Sequence, residues 1–78
     1  MVEPSSIASS IRAGLACTHV EVSGDGAHFE AVVVSPAFAG LARVRQHQLV
    51  YAALGDRMRE EIHALSMKTY SPEEWAAR

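Results

Sequence analysis

Apolar residues at helical spacing predict one helix at the start of the chain and two in its middle. Pro4 suits a first helical turn, and a stripe with a four-residue period continues as far as Leu15. A second stripe runs through the middle of the chain, where Gly55 and Asp56 divide it into two helices, with Asp56 as an N-cap. The stripe residues are Ile7, Ile11 and Leu15, then Val44, His47, Val50 or Tyr51, and Leu54, then Met58 and Ile62.

Alternation of apolar and polar residues predicts β-strands at residues 18–23 and 63–70, and a run rich in β-branched and aromatic residues predicts another between them at 29–35. Residues 24–28 join the first two strands as a hairpin tip, because Gly-Asp-Gly supplies turn chemistry. Pro36 ends the second strand, since proline cannot continue a hydrogen-bonded ladder.

The end of the chain predicts a short helical turn. Ser71 and Glu74 have the spacing of a capping box, with Pro72 at the first helical position, so Trp75 can fold back onto the body. The order helix, strand, strand, helix, helix, strand is typical of an α+β sandwich with helices on one face of a three-stranded sheet. We expect one domain over residues 1–78, with a core at about 4–70 and the terminal turn at 71–78.

Composition narrows the class of protein. A chain of 78 residues, 49% hydrophobic and 21% charged, is typical of one small globular domain. No stretch reaches the roughly 20 apolar residues of a membrane span. Residues 1–6 lack the basic-then-apolar order of a secretory signal, so we expect a cytoplasmic protein without membrane contact.

Charge and cysteine content bear on the chemistry. Seven Lys and Arg against nine Asp and Glu leave a net charge of −2, which gives nucleic-acid binding no support from bulk charge. Cys17 is the only cysteine, so an intramolecular disulfide and a CxxC site are excluded, and metal chemistry depends on histidine or a partner. We expect no enzyme, because glycine-rich phosphate loops, HExxH zinc patterns and a nucleophile with an identifiable base are all absent from the sequence.

Six short motifs run through the chain from about Ile7 to Trp75. They are Val22-Ser23-Gly24-Asp25-Gly26, His28-Phe29, Val34-Ser35, Phe38-Ala39-Gly40, Arg45-Gln46-His47-Gln48-Leu49-Val50-Tyr51 and Ile62-His63-Ala64-Leu65-Ser66. In this order and spacing they resemble the BolA-like family, and the closing residues 69–75 are similar to its short acid-stress branch.

The resemblance implies a fold, a partner and a cofactor. The fold is a type II KH-like α-β-β-α-α-β arrangement with a mixed sheet, although the GxxG loop with which KH domains grip nucleic acid is absent after Gly40. The implied partner is a monothiol glutaredoxin, with which BolA-like proteins share a bridged 2Fe–2S cluster in cluster trafficking and iron regulation. The free chain is expected to carry no cofactor, and whether it forms a homodimer stays open.

Two histidines are the candidate ligands of such a cluster. It needs four terminal ligands, and histidine can replace cysteine; one thiolate from the partner and one from glutathione leave two positions for this chain. The resemblance places His63 at the family's ligand histidine and His28 in the loop with the variable second ligand. If the resemblance is set aside, the ordinary alternatives are that the His63 side chain bonds to a backbone carbonyl at the start of its strand and that His28 is a solvated loop residue.

The remaining histidines and the cysteine have ordinary explanations. His47 fits a packed side chain bonded to a neighbour, and His19 fits a solvated position on the outward face of its strand. Cys17 fits a small, partly buried hydrophobe.

Two alternatives to a cluster adaptor stay open. Some BolA-like proteins are reported to control genes for morphology and stress, and the arginines of the helical pair could meet phosphates, although the acidic net charge argues against strong affinity. The second alternative is a generic protein-interaction module that binds no metal. The candidate nucleic-acid contacts are Arg43, Arg45, Arg57, Arg59 and Lys68.

Overall fold

Four helices and a three-stranded sheet make up residues 2–78, which a computed structural model describes; Met1, the first residue of the predicted domain, lies outside them. No helix within these residues is both long and apolar enough to cross a bilayer. The elements are α1 (Pro4–Gly14), β1 (His19–Gly24), β2 (His28–Val34), α2 (Arg43–Leu54), α3 (Arg57–Glu60), β3 (Ala64–Tyr70) and α4 (Pro72–Ala77), with a 3-10 turn at Pro36–Phe38.

The sheet is mixed, with strand order β1-β2-β3. β1 and β2 form an antiparallel hairpin, whereas β2 and β3 are parallel and are connected through α2 and α3. The predicted α+β class and mixed three-stranded sheet are therefore confirmed. The register aligns His19, Val34 and Tyr70 across one end of the sheet and pairs His28 with Ala64 at the other end.

One face of the sheet builds the core with the helices. Phe29, Ala31 and Val33 alternate along β2 and are buried, as the period of a strand requires. They pack in one cluster with Ile7 and Ile11, the predicted apolar stripe of α1. The other buried members of this cluster are Val20, Phe38, Val50, Leu54 and Ile62.

The buried side of α2 differs from the predicted stripe. Val50 and Leu54 are buried as expected, but Val44 is 63% exposed and Tyr51 is 42% exposed. Gln46 occupies the core position instead, with 3% of its surface exposed. An apolar pattern cannot reveal this choice, because a buried amide is tolerated only where its hydrogen bonds are satisfied.

Trp75 covers one end of the opposite face of the sheet. Its ring centroid lies 5.0 Å from that of His19 and 5.3 Å from that of Tyr70. Val34 lies between these two residues in register and is fully buried, although it points away from the core. His19 lies on the outward face of its strand as predicted, but it is only partly solvated, because its ring stacks on Trp75 and its Nε2 lies 2.9 Å from Glu21 Oε1.

Of the two predicted N-caps, the one at Ser71, near the end of the chain, is confirmed. Ser71 Oγ accepts from the Glu74 amide at 3.2 Å, and Glu74 Oε1 accepts from the Ser71 amide at 2.9 Å, which completes a capping box. Asp56 is not a side-chain cap. Its backbone is already helical, whereas a capping residue is normally extended, and its carboxylate lies 3.6 Å from Arg59 instead.

We predict that Gly14→Ala lowers stability, opposite to the usual effect of this change in a helix. A Cβ at Gly14 would lie 2.8 Å from Ala53 Cα and 2.9 Å from Ala53 Cβ, because α1 and α2 approach closely there. Overpacking of this kind costs about 1–3 kcal/mol, against a helix-propensity gain of about 1 kcal/mol. Urea unfolding checks this, with Ser9→Ala on the exposed side of α1 as control; a more stable Gly14→Ala protein would contradict the close approach.

Candidate functional site

The sheet brings His28 and His63 to the same end, where β2 and β3 begin. His28 begins β2 and pairs with Ala64, the first residue of β3, and His63 directly precedes Ala64. Since neighbouring strands lie about 4.8 Å apart, the Cα atoms of the two histidines are roughly 6 Å apart. Both residues are exposed. Two exposed histidines therefore lie on neighbouring chain segments at one end of the sheet.

Both histidines differ by one residue from their predicted placement. The predicted tip, residues 24–28, is shorter, because Gly24 pairs with Phe29 and His28 already belongs to β2. His63 lies in the bend before β3, whose ladder begins only at Ala64. His28 is thus fixed by a sheet, whereas the sequence places it in a loop.

Asp25 closes the hairpin next to His28. Its Oδ1 accepts hydrogen bonds from the amides of His28 at 2.9 Å and Ala27 at 3.0 Å. These two amides, that of His28 first, lower the pKa of the Asp25 carboxyl. A side chain at Gly24 would collide with the His28 carbonyl oxygen and lie 2.6 Å from Phe29 Cδ1. The sequence identified this segment as a turn but not as the support of a candidate ligand.

We predict that Asp25→Ala loosens the start of β2. Removing the carboxylate should speed hydrogen exchange at the Ala27 and His28 amides several-fold, because each loses its acceptor. The folded pKa lies below the unfolded one, so in the wild type this support is complete above about pH 4 and is lost as acid protonates the carboxylate. NMR exchange rates check this, with exposed Asp56→Ala as control; unchanged rates in Asp25→Ala would contradict it.

The candidate ligands have free coordinating atoms but do not form a complete metal site. Neither the His28 ring nor the His63 ring makes a hydrogen bond to another described residue. Within residues 2–78, this rules out the alternative in which a backbone carbonyl accepts from the His63 ring. In the same part of the chain, no group of three or more His, Cys, Asp or Glu side chains is arranged to hold a metal ion. Two histidines could occupy at most two positions of a four-ligand cluster, so such a cluster would need further ligands from elsewhere.

Cys17 and His47 do not extend this site. Cys17 precedes β1, whose start pairs with the end of β2, so about six residues of strand, or roughly 20 Å, separate it from His28. Burial raises the pKa of its thiol despite the opposing effect of Arg12, and the thiol donates to the Leu15 carbonyl at 3.3 Å. The prediction that His47 bonds to a neighbour is wrong for its buried Nε2, which has no partner among the described residues.

The candidate nucleic-acid contacts divide into two groups. Arg43 donates to the Thr69 carbonyl at 2.5 Å and Arg57 donates to Ser10 Oγ at 2.6 Å, so both guanidinium groups already bind within the fold.

The other candidates, Arg45, Arg59 and Lys68, are exposed. Arg45 lies near the start of α2, which is about 18 Å long, and Arg59 lies beyond its end. Lys68 projects from the sheet face opposite the core, between the inward-facing Met67 and Thr69. The structure therefore does not gather these charges into one patch.

Comparison with known proteins identifies the family. Residues 8–74 match the model of the family described as BolA-like protein, so this chain belongs to the BolA-like family and the resemblance is confirmed. Over 76 residues it is 41% identical to the acid stress protein IbaG of Escherichia coli strain K12, covering 96% of this chain and 90% of that protein.

Two further comparisons bear on fold and function. A BolA protein homologue from Coxiella burnetii has a structure that covers 97% of this chain and 99% of its own, with 48% identity and a TM-score of 0.90. The DNA-binding transcriptional regulator BolA of Haemophilus influenzae is 37% identical over 60 residues, covering 77% of this chain and 58% of that protein. The names of these relatives describe a stress protein and a regulator.

Proposed function

We propose that this protein is a non-enzymatic adaptor that pairs with a monothiol glutaredoxin and carries a 2Fe–2S cluster shared between the two chains. The observation that carries the proposal is the pair of exposed imidazoles of His28 and His63 on adjacent strand ends. An isolated chain with two such donors cannot close a four-ligand shell, and so needs a partner. The sequence predicts a cytoplasmic protein.

The cluster is cargo in this proposal, and each part of the chain has a role in holding or releasing it. The sheet fixes the backbone of His28, and Asp25 and the absence of a side chain at Gly24 let the hairpin close beside it. The exposure of both rings leaves their nitrogens open to a docking partner. Because neutral imidazole is a weaker anchor than thiolate, a cluster held this way can be passed on.

Native mass spectrometry tests the proposal. The wild-type chain is mixed with a cluster-loaded monothiol glutaredoxin and glutathione, and the complex is weighed without denaturation. We expect a one-to-one heterodimer whose excess mass equals one 2Fe–2S unit and glutathione, and whose dissociation follows removal of the cluster. Two separate proteins in the spectrum, with the cluster retained by glutaredoxin alone, would contradict the proposal.

DNA binding is the second candidate function, and the name of the Haemophilus influenzae relative favours it. The exposed cations Arg45 and Arg59 on the helical pair are the side chains with which this chain would meet phosphates. A gel shift against genomic fragments over a salt series tests it, because phosphate contacts make affinity fall steeply with salt. A shift at low salt that weakens in Arg45→Ala would support DNA binding, and no shift at low salt would remove it.

A further inference from the structure

We propose that Arg57 is a positioning residue that sets the place and orientation of the His63 imidazole. This inference rests on the proposed role of His63 as a ligand and gives Arg57 a role other than contact with phosphate. The argument starts from the weakness of α3. This helix has four residues, none of them buried, and an isolated helix so short is unstable in water. Something outside α3 must therefore hold it in place.

Partly buried Met58 packs α3 against the core, and the Arg57 side chain supplies a connection to α1. Its Nη1 donates to the Ser6 carbonyl at 3.0 Å and to Ser10 Oγ at 2.6 Å, which joins α3 to α1. Its Nε and Nη2 donate to Glu61 Oε1 at 3.3 and 3.2 Å. The side chain is 22% exposed, and its bond to Ser10 Oγ is partly buried, whereas the bonds to Glu61 and to the Ser6 carbonyl lie at the surface. One guanidinium thus holds both α1 and the residue two positions before His63.

The Arg57 backbone extends the same connection to the start of β3. Its carbonyl accepts from the amides of Glu61 and Ile62, both at 2.9 Å. Ile62 is 4% exposed and packs in the core, and His63 follows it directly. The residues from Arg57 to Ile62 are therefore fixed at both ends, and the exposed imidazole of His63 projects from a rigid support.

Arg57 and His63 also line the same concave surface. This surface lies between the N-terminal part of α1, the hairpin tip at Gly26, and Glu61. The groups that face His63 here come from three separate elements, and Arg57 is the side chain that bonds two of them together. A partner that reaches His63 must enter a surface whose shape depends on Arg57. Side chains that orient a metal ligand typically change metal affinity by about 10–100-fold when removed.

The experiment compares Arg57→Met, Arg57→Lys and Arg59→Met with the wild type. Arg59 is the matched control, because it is an exposed arginine of the same helix whose carboxylate partner is 3.6 Å away. In the free chain, NMR records the ring resonances of His63 and the exchange rates of the amides from Glu61 to His63. In the mixture with cluster-loaded glutaredoxin, the lifetime of the visible circular dichroism signal is recorded.

We expect Arg57→Met to shift the His63 ring resonances, speed the exchange of these amides, and shorten the cluster lifetime by about tenfold. Arg57→Lys should fall between Arg57→Met and the wild type, because lysine keeps the charge but cannot span both partners. Arg59→Met should match the wild type. If Arg57→Met loses stability but keeps the His63 resonances and the cluster lifetime, Arg57 is a structural brace alone and the inference is overturned. If the wild type forms no cluster-bridged complex, the proposed function fails, and the free-chain spectra still decide the positioning role.

Discussion

Replacing His63 with alanine is expected to abolish the visible circular dichroism change that the wild-type chain produces with a cluster-loaded monothiol glutaredoxin. The reason is that the His63 ring is exposed and free of hydrogen bonds to the described residues, and the resemblance places it at the family's ligand histidine. His28→Ala should weaken the signal and shorten its lifetime without abolishing it, because the resemblance places His28 only at the family's variable second ligand.

His19→Ala is the control for these variants. His19 lies at the opposite end of the sheet, where it pairs with Val34 and stacks on Trp75. Its removal can disturb the packing of α4 but cannot reach the His28 and His63 end. A signal that survives in His63→Ala, or that is lost equally in His19→Ala, would contradict the assignment of His63 as a ligand.

Gln46→Ala is expected to cause a large loss of stability. The Gln46 amide nitrogen donates to the carbonyl oxygens of Phe38 and Leu41, both at 3.1 Å. Its oxygen accepts from the Thr69 hydroxyl at 2.6 Å, which connects α2 to β3. Alanine would leave a cavity and three polar groups without their partner, so we expect a loss of about 2–4 kcal/mol in the free energy of unfolding.

Gln48→Ala provides a closely matched control for this prediction. Gln48 is the same residue type in the same helix, two positions away, and is exposed. Thermal unfolding should place Gln46→Ala roughly 10–20 °C below the wild type and Gln48→Ala close to it. Equal midpoints for the two variants would mean that the buried hydrogen bonds contribute little to stability.

Much of the fold could be predicted from the sequence, because the local signals agree with the global arrangement. The four-residue period of Ile7 and Ile11 gave the buried side of α1. Alternation gave β1 and β3, and β-branched and aromatic content gave β2, each within one residue at each end. The spacing of Ser71 and Glu74 gave the final capping box. Each of these features depends on nearby residues, which is why sequence reasoning detects them.

The features that were predicted wrongly depend on long-range contacts. Gln46 is buried because its partners come from the 3-10 turn region and from β3, and a local pattern contains no information about them. His19 is packed because Trp75 returns to it from the end of the chain. Asp56 is the exception, because it fails as a cap through its own helical backbone and not through a long-range contact.

The candidate site was predicted in part. The resemblance named His63 and His28, and the parallel pairing of β2 with β3 then placed them at one end of the sheet. The hydrogen bonds of Arg57 to Ser6 and Ser10 join positions about 50 residues apart in the chain, which no local pattern reveals. The resemblance therefore suggested the donors, and tertiary contacts supply their supports.

The most direct test of the shared-cluster proposal detects the bond between this chain and the cluster. The chain is labelled with ¹⁵N-histidine, combined with unlabelled cluster-loaded glutaredoxin and glutathione, and reduced; pulsed electron paramagnetic resonance then measures ¹⁵N couplings. We predict a strong coupling from a labelled imidazole, present in the wild type and absent in His63→Ala. A spectrum with no ¹⁵N coupling, from a sample in which the cluster is intact, would contradict ligation by this chain.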